Sequence, residues 1–272
     1  LALVEAQAAR WQGHERIRVA VMPHAVYTTT PQLMEDCRDL ARKRGLMLHI
    51  HLAETPSETE TCLSQHGKRP LAYCRDLDLL GPDVSIAHAV DLTDEELDVL
   101  AASGAHVAHN PRSNMKLASG VAPVPGMLTR GMLPGLGTDG AASNNGLNMF
   151  GEMSACALLH KVHSNDPTVL PAQTVLDAGT RGGAASLNWP ELGRLVEGGP
   201  ADMVALDLRS PNLQPLYNLV SHLVYAASGH ELRLSMVAGR VLYQDGDWTS
   251  LDYPLLLKEA QKLKKWVLDR SE

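Results

Sequence analysis

Short apolar runs alternate with helical patterns along the first two-thirds of this chain, and that alternation restricts its fold more than any other feature. Ile17-Arg18-Val19-Ala20-Val21-Met22 is a β-type run stopped by Pro23-His24. Thr30-Pro31, a cap followed by proline at the first helical position, opens a helical pattern that runs to Gly45. Further strands are predicted at 46–51, 84–88, 105–109 and 132–137, with helices at 2–13, within 57–76, and at 94–103, 124–130, 146–163 and 172–187. Thr93-Asp94-Glu95-Glu96 supplies an N-cap and an acidic first turn for the helix at 94–103. Repeated βα units of this kind imply an α/β fold with a parallel sheet and helices outside it. An eight-stranded barrel needs about 250 residues, roughly 30 per unit, so the five strands here make a partial TIM (β/α)8 barrel. An open doubly wound sheet fits the periodicity as well. No Gly-x-Gly-x-x-Gly loop follows the first strand, so dinucleotide binding has no support.

The texture changes near Leu195. Gly198-Gly199-Pro200-Ala201-Asp202 turns into a strand-like Met203-Val204-Ala205-Leu206, and Ser235 to Tyr243 reads as a hairpin about Gly239. A final helical pattern covers 254–269. The expected division is a barrel portion over 1–194 and a β-domain contribution with a terminal helix over 195–272.

Charge and cysteine usage narrow the function classes. Lys and Arg total 24 against 31 Asp and Glu, a net charge of −7, which argues against a nucleic-acid surface or an anionic membrane partner. No apolar run approaches the roughly 20 residues that span a bilayer, and Leu1-Ala2-Leu3-Val4-Glu5 lacks a basic flank and cleavage pattern. A cytoplasmic location is expected. Cys37, Cys62, Cys74 and Cys156 show no Cys-x-x-Cys spacing and read as reduced structural thiols.

Chemistry-bearing residues gather where strands are predicted to end. His51 and Glu54 follow the run from Leu46, His88 follows Asp83-Val84-Ser85-Ile86, and Asp139 follows Met132-Leu133-Pro134-Gly135-Leu136. If these runs are parallel strands, their carboxyl ends share one rim, where barrel enzymes place catalytic groups. Imidazole and carboxylate donors suit a divalent metal. His49 lies on the same strand face as His51 and is expected to be a core histidine.

The order and flanks of these motifs, from Leu1 to about Tyr253, resemble the amidohydrolase superfamily, and within it the cytosine- and adenosine-type deaminases. The resemblance places them on strands five, six and eight. It implies that His51 and Asp139 bind one divalent ion, zinc by preference with iron or manganese as substitutes. It further implies that Glu54 shuttles a proton from the attacking water to a ring nitrogen, that His88 steers that water, and that Asp139 passes a proton to the leaving amine. Pro23-His24-Ala25-Val26-Tyr27-Thr28 resembles the fourth-strand motif of methylthioadenosine and S-adenosylhomocysteine deaminases, in which the histidine contacts the purine. His24 is accordingly a substrate contact, or else a strand-end histidine in solvent. Asn110 and Ser113, after the strand at 105–109, either shape the pocket or serve as caps.

The family opens with a His-x-His pair on its first strand, and those positions are expected to precede this chain together with three strands. The implied activity is deamination of an adenosine-type nucleoside to an inosine-type product and ammonia, by a homo-oligomer when complete. Two alternatives stand beside it: an aminohydrolase or chlorohydrolase acting on a triazine or another purine, and an inactive segment that needs an N-terminal partner and binds zinc weakly alone.

Overall fold

The computed structural model describes residues 1–270. Helix α1 (Ala2–Trp11) leads into β1 (Ala20–Val21), and α2 (Pro31–Arg44) returns the chain to β2 (Met47–Leu52). Helices α3 (Pro56–His66) and α4 (Pro70–Asp76) precede β3 (Val84–His88), and α5 (Asp94–Ser103) precedes β4 (His106–His109). Helices α6 (Pro111–Lys116) and α7 (Val124–Thr129) cross to β5 (Gly135–Leu136). The five strands pair in parallel in sequential order, β1-β2-β3-β4-β5, which is the expected arc of a (β/α)8 barrel.

Local chemistry explains where the helices begin and end. Thr30 and Thr55 accept the N–H groups of Leu33 and Glu58 as N-caps, each with proline at the next position. Gly45, Gly67 and Gly104 close α2, α3 and α5 in the left-handed conformation. Every residue of β3 is buried, as befits a strand covered on both faces. Met34, Leu48, Ile86, Leu97, Leu100 and Met127 form the centre of the core between sheet and helices.

Four expected elements are revised. The run at 17–22 pairs only at Ala20–Val21, and the run at 132–137 only at Gly135–Leu136. Both are edge strands whose ladder partners lie on one side, so only residues directly opposite β2 or β4 keep the pattern. The helix expected at 146–163 is α9 (Met149–Ser164), which starts later because Asn148 caps it, and a separate short α8 (Ala141–Asn144) precedes it. The predicted helix at 172–187 is α10 (Ala172–Asp177), a π-helical turn (Ala178–Gly182) and α11 (Gly183–Ser186). The turn sits against β5: a Cβ on Gly182 would come within 2.5 Å of the Pro134 carbonyl oxygen, so the backbones meet with no room for a side chain.

A second, antiparallel sheet follows, β6 (Met203–Leu206), β7 (Leu232–Val237), β8 (Arg240–Gln244) and β9 (Asp247–Trp248), in that order. The expected hairpin about Gly239 is the β7–β8 turn. Helix α12 (Leu219–Tyr225) packs beside α9 and α10. Helix α13 (Tyr253–Leu268) closes the described chain and buries none of its residues. Among the described residues, no helix is long and apolar enough to cross a membrane.

Candidate active site

The carboxyl ends of β2, β3 and β5 bring His51, His88 and Asp139 together, each with a ligand atom within 4.8 Å of the others. Parallel register does this: Leu52 pairs with His88, and Ala25, just past β1, bridges to His51. His88 and Asp139 adopt left-handed backbone angles, φ 75° and 58°, as does Ala53 at 53°. Non-glycine residues held there cost about 1–3 kcal/mol each, and these turn the chain off the sheet just where its side chains converge.

Hydrogen bonds fix which ring nitrogen each histidine presents. His51 Nδ1–H donates to the His24 carbonyl at 2.8 Å, and His88 Nδ1–H donates to Asn114 Oδ1 at 2.9 Å. Both Nε2 atoms are therefore left as lone-pair donors, the arrangement found at metal-binding histidines. The two rings stack with centroids 5.4 Å apart. Ser113 and Ser143 each donate a hydroxyl to Asp139 Oδ2 at 2.6 Å. Burial opposes ionisation of Asp139, but the Ser113 and Ser143 bonds, the Gly140 N–H and the nearby His88 together hold its pKa below the usual value. Two imidazole lone pairs and an ionised carboxylate fit a divalent cation such as zinc.

Glu54 stands beside this cluster without joining it. Its Oε2 lies 3.8 Å from His88 Nε2, and its Oε1 accepts from Ser119 Oγ at 3.2 Å. A cavity of about 380 Å³ opens on Glu54, with Tyr27, Glu58, Thr61, Leu117 and Ser119 in its wall, a size suited to a small-molecule ligand. A larger hollow, about 930 Å³, lies at the opposite ends of the strands near Trp11, Leu46 and Trp189, away from these groups. Barrel enzymes place their chemistry at the carboxyl ends, so the smaller cavity is the relevant one.

His24 is exposed at the rim beside the cluster, its ring centroid 5.0 Å from that of His51 and its Nδ1 2.8 Å from Thr28 Oγ1. His49 lies outside the cluster, its pKa lowered by burial and then by the neighbouring His51 and His88. Of the two residues after β4, Ser113 touches Asp139 directly, whereas Asn110 lies against His88 at 3.5 Å. Sequence reasoning passed over Asn114, Ser119, Ser143 and Glu58. Glu58 had a visible signal, the Thr55-Pro56-Ser57-Glu58 spacing at a helix start, whereas the other three act through loop geometry that spacing does not reveal.

A second donor group, His109, Cys156 and His160, is fully buried behind β4. Its two imidazoles spend Nε2 on each other at 3.1 Å, and neither Nδ1 has a partner. Burial pushes the Cys156 thiol up to about 12. Metal on both Nε2 atoms would leave two buried Nδ1–H donors without acceptors. The group is an interior bond from β4 to α9.

Residues 2–242 match the model of the amidohydrolase family. A 5-methylthioadenosine/S-adenosylhomocysteine deaminase from Nitratidesulfovibrio vulgaris (strain DSM 19637 / Miyazaki F) is 60% identical over 99% of this chain and 61% of its own length. Among solved structures, a zinc-bound adenosine deaminase from Xanthomonas campestris superposes with a TM-score of 0.96 at 34% identity, covering 98% of this chain and 61% of that one. A zinc-complexed atrazine chlorohydrolase from Arthrobacter aurescens TC1 gives 0.88 at 27% identity, over 96% of this chain and 59% of that one. The chain thus spans about three-fifths of the length of the relatives it matches. Its rim of paired histidines and aspartate at parallel strand ends, its partial barrel and these matches have one reading: the chain belongs to the amidohydrolase family.

Proposed function

We propose that the enzyme carrying this chain is a metal-dependent hydrolytic deaminase of adenosine-type nucleosides, with methylthioadenosine and S-adenosylhomocysteine preferred. The observation that carries the reading is the placement of the Glu54 carboxylate 3.8 Å from His88, beside and not within the His51, His88 and Asp139 cluster. A proton carrier next to a metal site is what addition of water to a ring carbon requires. The 60% identical deaminase supports the substrate class.

His51 and Asp139 would hold one divalent ion, zinc as in the Xanthomonas relative, with His88 facing it. When bound, such an ion supplies Lewis acidity and lowers the pKa of water. Glu54 takes a proton at Oε2 and delivers it to the ring nitrogen beside the amino-bearing carbon. His88 Nε2 orients the water, its ring fixed by the Asn114 bond. Asp139 receives the water's second proton and passes it to the amine, which leaves as ammonia while the carbon keeps the oxygen. His24, at the rim above His51, contacts the purine. The four buried free cysteines fit the reducing cytoplasm.

A second reading, triazine chlorohydrolysis, is favoured by the superposition on the atrazine enzyme. A panel of methylthioadenosine, S-adenosylhomocysteine, adenosine and atrazine, assayed for ammonia and chloride, separates the two. Ammonia from the nucleosides is the expected result, and chloride from atrazine with no nucleoside turnover would overturn the proposal.

A further inference from the structure

Two helices of this chain begin with the same capping-box spacing but use its glutamate differently. At α5 the box closes in the ordinary way: Glu96 N–H donates to Thr93 Oγ1 at 3.2 Å, and Thr93 N–H donates to Glu96 Oε2 at 3.0 Å. At α3 only the first half forms, with Glu58 N–H donating to Thr55 Oγ1 at 3.2 Å. The Glu58 carboxylate reaches back past the cap residue. It accepts the Ala53 N–H on Oε1 at 3.0 Å and the Glu54 N–H on Oε2 at 2.7 Å.

This placement is unfavourable for a helix cap alone. Glu58 is 4% exposed, and burial raises its pKa against the opposing pull of the Glu54 and Ala53 N–H groups. The loop it grips is also held from the other side, because the Ala53 carbonyl accepts the N–H groups of Val90 and Asp91 at 2.8 Å each. With its backbone fixed in this way, the Glu54 side chain is left one further anchor, Ser119 Oγ on Oε1. Oε2 then faces His88.

We infer that Glu58 is a positioning residue: its carboxylate clamps two successive amides so that Glu54 Oε2 is aimed at the metal-site rim. The inference rests on the deaminase reading for Glu54. Both oxygens of Glu58 are used as acceptors, so Gln, with one oxygen and an NH2 that would face an N–H, can satisfy only one of the two amides. Asp is a methylene too short to reach.

The test uses the whole enzyme with Glu58→Gln and Glu58→Asp, and Thr93→Ala as the variant that removes the ordinary helix cap of α5. Amide hydrogen exchange at Ala53 and Glu54 is expected to accelerate at least about tenfold in both Glu58 variants, with metal content and melting behaviour close to those of Thr93→Ala. With methylthioadenosine, kcat is expected to fall about 10- to 100-fold with little change in KM, and the solvent deuterium isotope effect on kcat to rise as proton transfer loses alignment. Unchanged exchange at Ala53 and Glu54, or a kcat loss no larger than that of Thr93→Ala, would overturn the inference. If the unsubstituted enzyme releases no ammonia from any nucleoside while exchange still accelerates, the deaminase reading falls and the clamp stands.

Discussion

The rim histidines spend Nδ1–H on oxygens, His51 on a backbone carbonyl and His88 on an amide, and so present Nε2 inward. Glu54 is held by neighbours of a different kind, a hydroxyl on one oxygen and a histidine facing the other. These surroundings give the residues separable roles. On the proposed mechanism, Glu54→Gln keeps the shape but removes the proton carrier, so deamination is expected to fall by about 10²–10⁴-fold while metal analysis of the purified enzyme remains at the unsubstituted level. His51→Ala is expected to lose metal and activity together, because it removes a donor whose tautomer is already fixed for coordination. Equal metal loss in both variants would show that Glu54 is a ligand.

At the level of elements, the loops after β2, β4 and β5 are joined by polar bonds that cross between them. Glu152 on α9 is fully buried and accepts the Arg112 N–H at 3.2 Å and the Asn144 side-chain N–H at 2.7 Å, and Asn144 also donates to the Thr138 carbonyl at 2.6 Å. One helix thus steadies the loops that carry Ser113 and Asp139. The π-helical turn makes the other close approach, seating Gly182 against the Pro134 carbonyl at the start of β5. Gly182→Ala is expected to destabilise the protein by about 1–3 kcal/mol through overpacking against backbone that cannot yield, read as a lower urea midpoint. Removing the α5 cap with Thr93→Ala is expected to cost about 1 kcal/mol.

Across the whole molecule, two interior histidines contribute to the response to acid. Burial, and then the neighbours His160 and His88, hold His109 well below its usual range. Burial, and then His163, push His160 down to about 4 from 6.5. Both are neutral in the folded protein and take up protons near pH 6.5 once unfolded, so the unfolded chain binds more protons below that value. The stability they contribute is complete above pH 6.5 and is lost as pH falls toward their folded values. The maximum slope is about 1.4 kcal/mol per pH unit for each group. The urea midpoint is expected to fall between pH 7 and pH 5, and His160→Gln is expected to flatten that slope by about one group's share. An unchanged slope in the variant would remove His160 from the account.

Alternating strand and helix, proline-led helix starts and glycine stops are local properties, so the sequence alone determined the parallel sheet and the rim on which His51, His88 and Asp139 stand, while the sequential strand order came from the tertiary structure. The four-residue periods that place caps and the two-residue period of strands are short enough to read directly. Distances between loops are not written in any period. Only the tertiary structure decided that edge strands shorten to two residues, that α10 widens into a π turn where two backbones touch, and that Ser113 and Ser143 converge on one carboxylate. It also decided that two identical capping spacings part company: at α5 the glutamate closes its own helix, while at α3 the turn off β2 brings two bare amides nearer to Glu58 than its own cap residue's N–H. Buried N–H groups must find acceptors, and which acceptor lies within reach is settled only when the chain has folded.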